Sequence, residues 1–158
     1  YRLLTSWNII PGMEPDGTMS GKALESWVTE ALMLLGKADR LEVGQSHIGQ
    51  VLASGPSGSG DSWPAEAVRD LLENLQNEEI ERGFRIQVAN NRGVTTRSPG
   101  EGGEQEFTLA AEYREREKQF KAKWPRTAAV MRRIAESYER EGRDQESEAE
   151  RFRQGLGL

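Results

Sequence analysis

Apolar residues at Leu24, Trp27, Val28, Ala31, Leu32 and Leu35 recur at i, i+3, i+4, i+7, i+8 and i+11, a series that no extended chain can place on one side. A strand alternates at every second residue, whereas a helix of 3.6 residues per turn gathers all six into one stripe. The stretch is therefore an amphipathic helix, and Ser20, just after the Asp16-Gly17 turn, is placed to cap it. Gly36 loosens its end.

The same spacing recurs downstream. Asp39 is placed to start a second helix with Leu41, Gly44, Ile48, Val51 and Leu52 on one side; Gly49 and Ala53, four apart, leave room for another helix to approach closely. Gly55 to Asp61 reads as a surface loop. Two Trp-Pro pairs then mark helix starts, because proline lacks an amide hydrogen and has a pre-set φ. Pro64 opens a helix with Val68, Leu71, Leu72 and Leu75, and Pro125 opens one with Val130, Met131, Ile134 and Tyr138. Between them Asn77 is placed to cap a segment with Ile80, Phe84 and Val88 that ends at Gly93. Over residues 84–96 a hairpin competes, since Phe84, Ile86 and Val88 also alternate ahead of a turn at Asn91-Arg92-Gly93. Helix is preferred, because the i, i+4 series begins earlier, at Ile80, and an isolated hairpin is only marginally stable. From Glu104 to Trp124 a fifth helix carries Leu109, Tyr113, Phe120 and Trp124 on one face, supported by the pairs Glu112 with Arg116 and Glu117 with Lys121.

The last helix changes character after Tyr138. From Arg132 to Arg153 six arginines oppose seven acids, and Glu139 to Arg151 is almost wholly polar. A helix polar all round is not held by burial. It projects, frays or meets a partner through Ala149, Phe152 and Leu156. These elements predict an all-α fold, an irregular bundle or short solenoid-like array of about six helices.

Composition narrows the function classes. At 158 residues the chain fits a single domain, 1–158, whose residues 139–158 form the polar terminal helix. Leu3, Leu4 and Trp7 are already spaced like a buried helix side and no initiator methionine precedes Tyr1, so a fragment of a larger protein is expected. With no cysteine, thiolate metal sites, disulfides and cysteine nucleophiles are excluded, and a cytoplasmic setting is allowed. The net charge of −5 favours solubility and weighs against a dedicated nucleic-acid binder. No apolar run approaches a membrane span, and no secretory signal peptide is visible.

The search for chemistry returns few candidates. His47, the sole histidine, borders the stripe of Ile48, Val51 and Leu52; as base or ligand it would need nearby carboxylates, and a packing or surface role is the plainer reading. The glycines from Gly55 to Gly60 are followed by Asp61-Ser62-Trp63-Pro64 rather than by the lysine and hydroxyl of a phosphate loop. Arg82, Arg85, Arg92 and Arg97 face one acid, Glu81, between residues 80 and 97, and such guanidinium forks beside Gly93, Thr95 and Thr96 suit an anion. The plainer reading pairs them with carboxylates of neighbouring helices. Glu78 with Glu79, and Glu104 with Glu106, read as a solvated face. Trp7, Trp27, Trp63 and Trp124 read as core.

Four stretches carry a resemblance: Val-Gly-Gln-Ser-His-Ile-Gly-Gln-Val-Leu-Ala from Val43, Trp-Pro-Ala-Glu-Ala-Val-Arg-Asp from Trp63, Asn-Arg-Gly-Val-Thr-Thr-Arg from Asn91 and Glu-Gly-Gly-Glu-Gln-Glu from Glu101. Together they resemble the C-terminal helical region of large bacterial proteins of uncharacterised function. The resemblance implies a fragment of a larger bacterial protein and brings no activity. The expected function is a non-catalytic interaction or scaffolding module, without catalytic residues, cofactor or metal. Its partners are other domains of the parent chain, another protein or a further copy, contacted through the terminal helix and the Arg92 to Glu106 loop. An anion or nucleic-acid module using the four arginines is the alternative, and an enzyme using His47 with nearby acids is the third reading.

Overall fold

The computed structural model describes residues 9–57, 62–93, 96, 98 and 100–155. Six helices are found among them: α1 (Gly21–Lys37), α2 (Leu41–Ala53), α3 (Glu66–Leu75), α4 (Glu78–Arg92), α5 (Glu104–Phe120) and α6 (Pro125–Arg153). Among the described residues there is no strand beyond a single antiparallel bridge, Met13 to Met19. The chain divides into two compact units, Tyr1–Gly93 and Val94–Leu158, so the division falls inside the glycine- and arginine-bearing stretch after α4.

In the first unit the bridge folds residues 13–19 around the expected turn, where Asp16 Oδ1 accepts from the amide and hydroxyl of Thr18 at 2.9 and 2.6 Å. Ser20 Oγ accepts from Ala23 N at 3.3 Å and caps α1, whose Leu24 and Val28 are fully buried. The second start differs from expectation. Asp39 lies at φ +54 and the N-cap is Arg40, without a side-chain hydrogen bond. The amide of Arg40 donates to Leu35 O at 2.9 Å and that of Asp39 to Gly36 O at 3.2 Å. This is the left-handed closure of a helix C-terminus, so Asp39 ends α1 rather than starting α2.

Pro64 also departs from its expected place. Ala65 is the N-cap of α3 and Glu66 its first residue, so the proline precedes the helix. It is buried in a bend whose neighbour Trp63 is fixed twice, by Nε1 donating to Gly55 O at 3.2 Å and by its ring lying 5.3 Å from that of Phe84. Asn77 does what its position predicts: its Oδ1 accepts from Ile80 N at 3.0 Å. The segment it caps is helical through Arg92, which settles 84–92 as helix; residues 94 and 95 lie outside the described residues. Gly93 closes α4 at φ +70.

The tightest packing of this unit is between α2 and α4. A methyl group on Gly49 would strike the carbonyl of Ile80 and come within 2.6 Å of Phe84 N, and one on Gly83 would strike the carbonyl of Ser46. Each glycine thus receives the other helix's backbone, as the pairing of Gly49 with Ala53 suggested. Ile48, Leu52, Ile80, Phe84 and Val88 are buried around the crossing.

The second unit is an antiparallel helical hairpin. Helix α5 stops at Phe120, four residues short of the expected Trp124, which becomes the N-cap of α6 with φ −131 and ψ 69. The cause is Pro125, whose ring disfavours helical geometry in the residue before it. Pro125 itself takes the first helical position, as predicted. Tyr113 stacks on Tyr138 at 5.8 Å, and Val130, Met131, Ile134 and Tyr138 are buried. Ala110 is buried, while the expected Leu109 is only half so. The polar stretch after Tyr138 stays helical to Arg153, and Gly142 and Ala149 within it are buried. A methyl group on Gly103 would strike the carbonyl of Gly142, and Gly103 N donates to Glu146 Oε2 at 3.3 Å. Backbone lies directly on backbone there, a form of burial that leaves no apolar side chain in the sequence.

Candidate functional site: an apolar groove between α1 and α2

Where α2 faces α4 two glycines let the backbones meet; where it faces α1 a leucine intervenes. Leu35 plugs the space over Gly44, with its Cγ at 2.8 Å from where a Cβ would stand. Beside this plug the two helices leave an open groove of 580 Å³. Helix α1 lines it with Trp27, Ala31, Leu34 and Leu35, and α2 with Val43, Gly44, His47, Ile48 and Val51, with Ala38 and Arg40 at the connection. The floor is dry, since Ile48 and Val51 are 3% and 4% exposed. The rim is not. Leu34 is 53% and Val43 60% exposed, and Leu41 nearby is 42% exposed.

Arg40 and His47 are the polar side chains of the lining, and no carboxylate belongs to it. His47 Nδ1 donates to Val43 O, one turn back, at 2.8 Å, which holds the ring on the exposed rim. The convergent carboxylates that the enzyme reading asks for around His47 are not part of the groove lining. Among the described residues no three His, Asp or Glu side chains cluster in a way that could hold a metal ion.

The other sequence candidates lie elsewhere. Arg82 is exposed and pairs with Glu79 at 3.3 Å, one turn back on its own helix. Arg85 and Arg92 are half-buried, and Arg97 lies outside the described residues. From Arg82 to Arg92 the helix rises about 15 Å, so the backbone positions of the three described arginines are spread along α4. Phe152 is 50% exposed, but Ala149 is 3% exposed, in a hollow shared with Ser98, Gly100, Glu101, Gln145, Glu148 and Phe152; Leu156 lies outside the described residues. Glu106, expected on a solvated face, is fully buried in the first turn of α5, where the amides of a helix N-terminus favour a carboxylate. Trp124 is buried, whereas Trp27 opens onto the groove and is only half-buried; Trp7 lies outside the described residues.

Across the hairpin of α5 and α6, Arg114 donates to Glu139 through Nε at 2.9 Å and Nη2 at 3.1 Å, and to Glu117 at 3.0 Å. These hydrogen bonds raise the guanidinium's pKa and hold the Glu139 carboxyl below its ordinary range. Burial, then the neighbouring Tyr138, pushes Tyr113 up to about 12.

Sequence reasoning missed Leu34 and Val43. The signal was present as the unbroken run Ala31-Leu32-Met33-Leu34-Leu35, wider than the stripe one helix contact uses. No helix among the described residues is long and apolar enough to cross a membrane. Comparison with protein-family models, with curated proteins and with solved structures finds no match to this chain.

Proposed function

We propose that this chain is a non-catalytic interaction module that seats an apolar segment of a partner protein in the groove between α1 and α2. The observation that carries the reading is the groove's rim, with Leu34 53% and Val43 60% exposed above a buried apolar floor. Isolated exposed apolar side chains are ordinary, but a contiguous concave patch is a common mark of a contact surface. Covering it is favourable by roughly 25 cal/mol per Å² of apolar area removed from water. In this reading the contact lies in the first unit rather than on the terminal helix, where Ala149 is buried. The setting proposed with it is the cytoplasm, as part of a larger bacterial protein, supported by the cysteine-free composition and the motif resemblance.

The test is amide chemical-shift mapping of the full chain titrated with a leucine-spaced amphipathic peptide. Shifts confined to residues around Ala31, Leu34, Val43 and His47, and lost in a folded Leu34→Asp variant, are the expected result. Shifts spread elsewhere, or unchanged in that variant, would falsify the reading.

A further inference from the structure

The turn ahead of α1 brings together the parts of a slow backbone reaction and ties each of them elsewhere. Asp16-Gly17 is the sole Asp-Gly pair in the sequence, and Asn-Gly does not occur. An aspartate before glycine is well placed to cyclise, because a glycine nitrogen approaches the preceding carboxyl group without a Cβ of its own in the way. Both residues are exposed, and a Cβ on Gly17 would have nothing within 4 Å, so neither burial nor crowding opposes the reaction. Hydrogen bonds oppose it.

Residues 14–17 close as a β-turn in which Gly17 N donates to Glu14 O at 2.9 Å, with Pro15 second and Gly17 left-handed at φ +83. Glu14 N donates to Thr18 O at 2.8 Å and Ser20 N to Gly12 O at 2.7 Å, which tie the two arms of the loop on either side of the Met13–Met19 bridge. The carboxylate is held as well, since its Oδ1 accepts from both the hydroxyl and the amide of Thr18. Attacking nitrogen and carboxyl group are each engaged with another partner. The Thr18 hydroxyl, then its amide, also lowers the pKa of Asp16, and the ionised carboxylate they favour is a poor electrophile.

We propose that Asp16-Gly17 is a succinimide-forming site that the turn keeps unreacted through Thr18, so that iso-aspartate forms when the loop opens. In the open loop Gly17 N attacks Asp16 Cγ. The new C–N bond forms as the C–OH bond of the protonated carboxyl group breaks, and the amide proton leaves with that hydroxyl as water. Water then adds to either carbonyl of the ring. Cleavage on one side restores the ordinary linkage; cleavage on the other routes the main chain through Cβ and Cγ of Asp16 and frees its former main-chain carbonyl as the carboxylate. The iso-aspartyl chain is longer by one methylene inside a loop tied at Gly12 and at Ser20, the cap of α1, so the change is felt at the start of that helix.

The experiment incubates the full chain in heavy-oxygen water, folded in buffer and unfolded in denaturant. Mass spectrometry with fragmentation that separates aspartate from iso-aspartate follows the peptide containing residue 16, where each passage through the succinimide leaves one heavy oxygen. The unfolded chain is expected to take up label at least about tenfold faster than the folded one, the scale of opening two hydrogen bonds. Thr18→Val, shown folded by circular dichroism, should react about two- to tenfold faster than the parent, the scale of one lost hydrogen bond, and Thr18→Ser should return to the parent rate. Equal rates in the folded and unfolded chain, or a folded Thr18→Val no faster than the parent, overturn the protective role of the turn. Absence of label at residue 16 in the unfolded chain overturns the site itself. The folded and unfolded parent decide the matter even where Thr18→Val does not fold.

Discussion

Helix α2 has two sides, and they are built on opposite principles. Toward α4, Gly49 and Gly83 bring backbone onto backbone; toward α1, Leu35 fills the notch at Gly44 and the rest of the boundary stays open. One side is closed because small residues face each other, the other is open because a large residue props the helices near their connection. The apolar groove left open beside so tight a crossing is the contact surface of the proposed function.

The largest effect should come from the closed side. Gly83→Ala or Gly49→Ala drives a methyl group into rigid backbone, and we expect a loss of at least about 3 kcal/mol, against a helix-propensity gain of only about 1 kcal/mol. Thermal unfolding checks it, and a variant as stable as the parent would break the contrast between the two sides.

The hairpin of α5 and α6 sharpens the same rule. Gly103→Ala meets the backbone of Gly142, while the nearest atoms to a methyl group on Gly142 are those of the Phe107 ring, at 2.9 Å, on a side chain 40% exposed and able to turn aside. Gly103→Ala should therefore cost about 2 kcal/mol, and Gly142→Ala should fall within about 1 kcal/mol of the parent. Equal losses in denaturant titrations would show that crowding at a glycine, not backbone contact, decides the cost.

Ties between α5 and α6 give a smaller, pH-dependent effect. Tyr113 is raised to about 12 in the folded chain from 10.0, so the unfolded chain loses this proton first. Its contribution is complete below pH 10 and disappears as pH rises through about 12. Tyr113→Phe should flatten that alkaline limb in unfolding measured against pH. Glu139 works in the other direction: its folded pKa is lowered, so its contribution is present above 4.5 and lost as pH falls through the lower folded value. With side chains 33% and 29% exposed, the pair with Arg114 is screened in part by solvent and is expected to contribute about 1 kcal/mol.

The smallest change in stability belongs to the open side. Leu34→Asp should change the free energy of unfolding by no more than about 0.5 kcal/mol, as surface substitutions usually do, while abolishing peptide binding. A large loss of stability would mean that Leu34 supports the fold rather than a partner.

Much of the helical layout was legible before any coordinates. Ser20, Asn77 and Pro125 each mark a start by a local property, a side-chain oxygen or a pre-set φ, that neighbouring residues do not alter. The end of α5 was legible too, since Pro125 forbids Trp124 a comfortable helical place, yet the apolar series running on to Trp124 concealed it. Asp39 and Pro64 were misplaced because a residue that favours a helix start also serves a helix end or a bend: Asp39 takes a left-handed closure whose hydrogen bonds return to Leu35 and Gly36, and Pro64 lies in a bend whose neighbour Trp63 is held by the distant Gly55 and Phe84. For the candidate site, the wide run Ala31 to Leu35 showed excess apolar surface. It did not show where that surface went.

The order of residues alone thus determined that this protein is helical and where most helices begin, because periodicity and capping act within one turn of the chain. Whether two neighbouring helices touch or stand apart was decided only in three dimensions. That outcome depends on which residue of one helix meets which residue of the other: Gly49 meets backbone, Gly44 meets Leu35, and from that difference the groove follows.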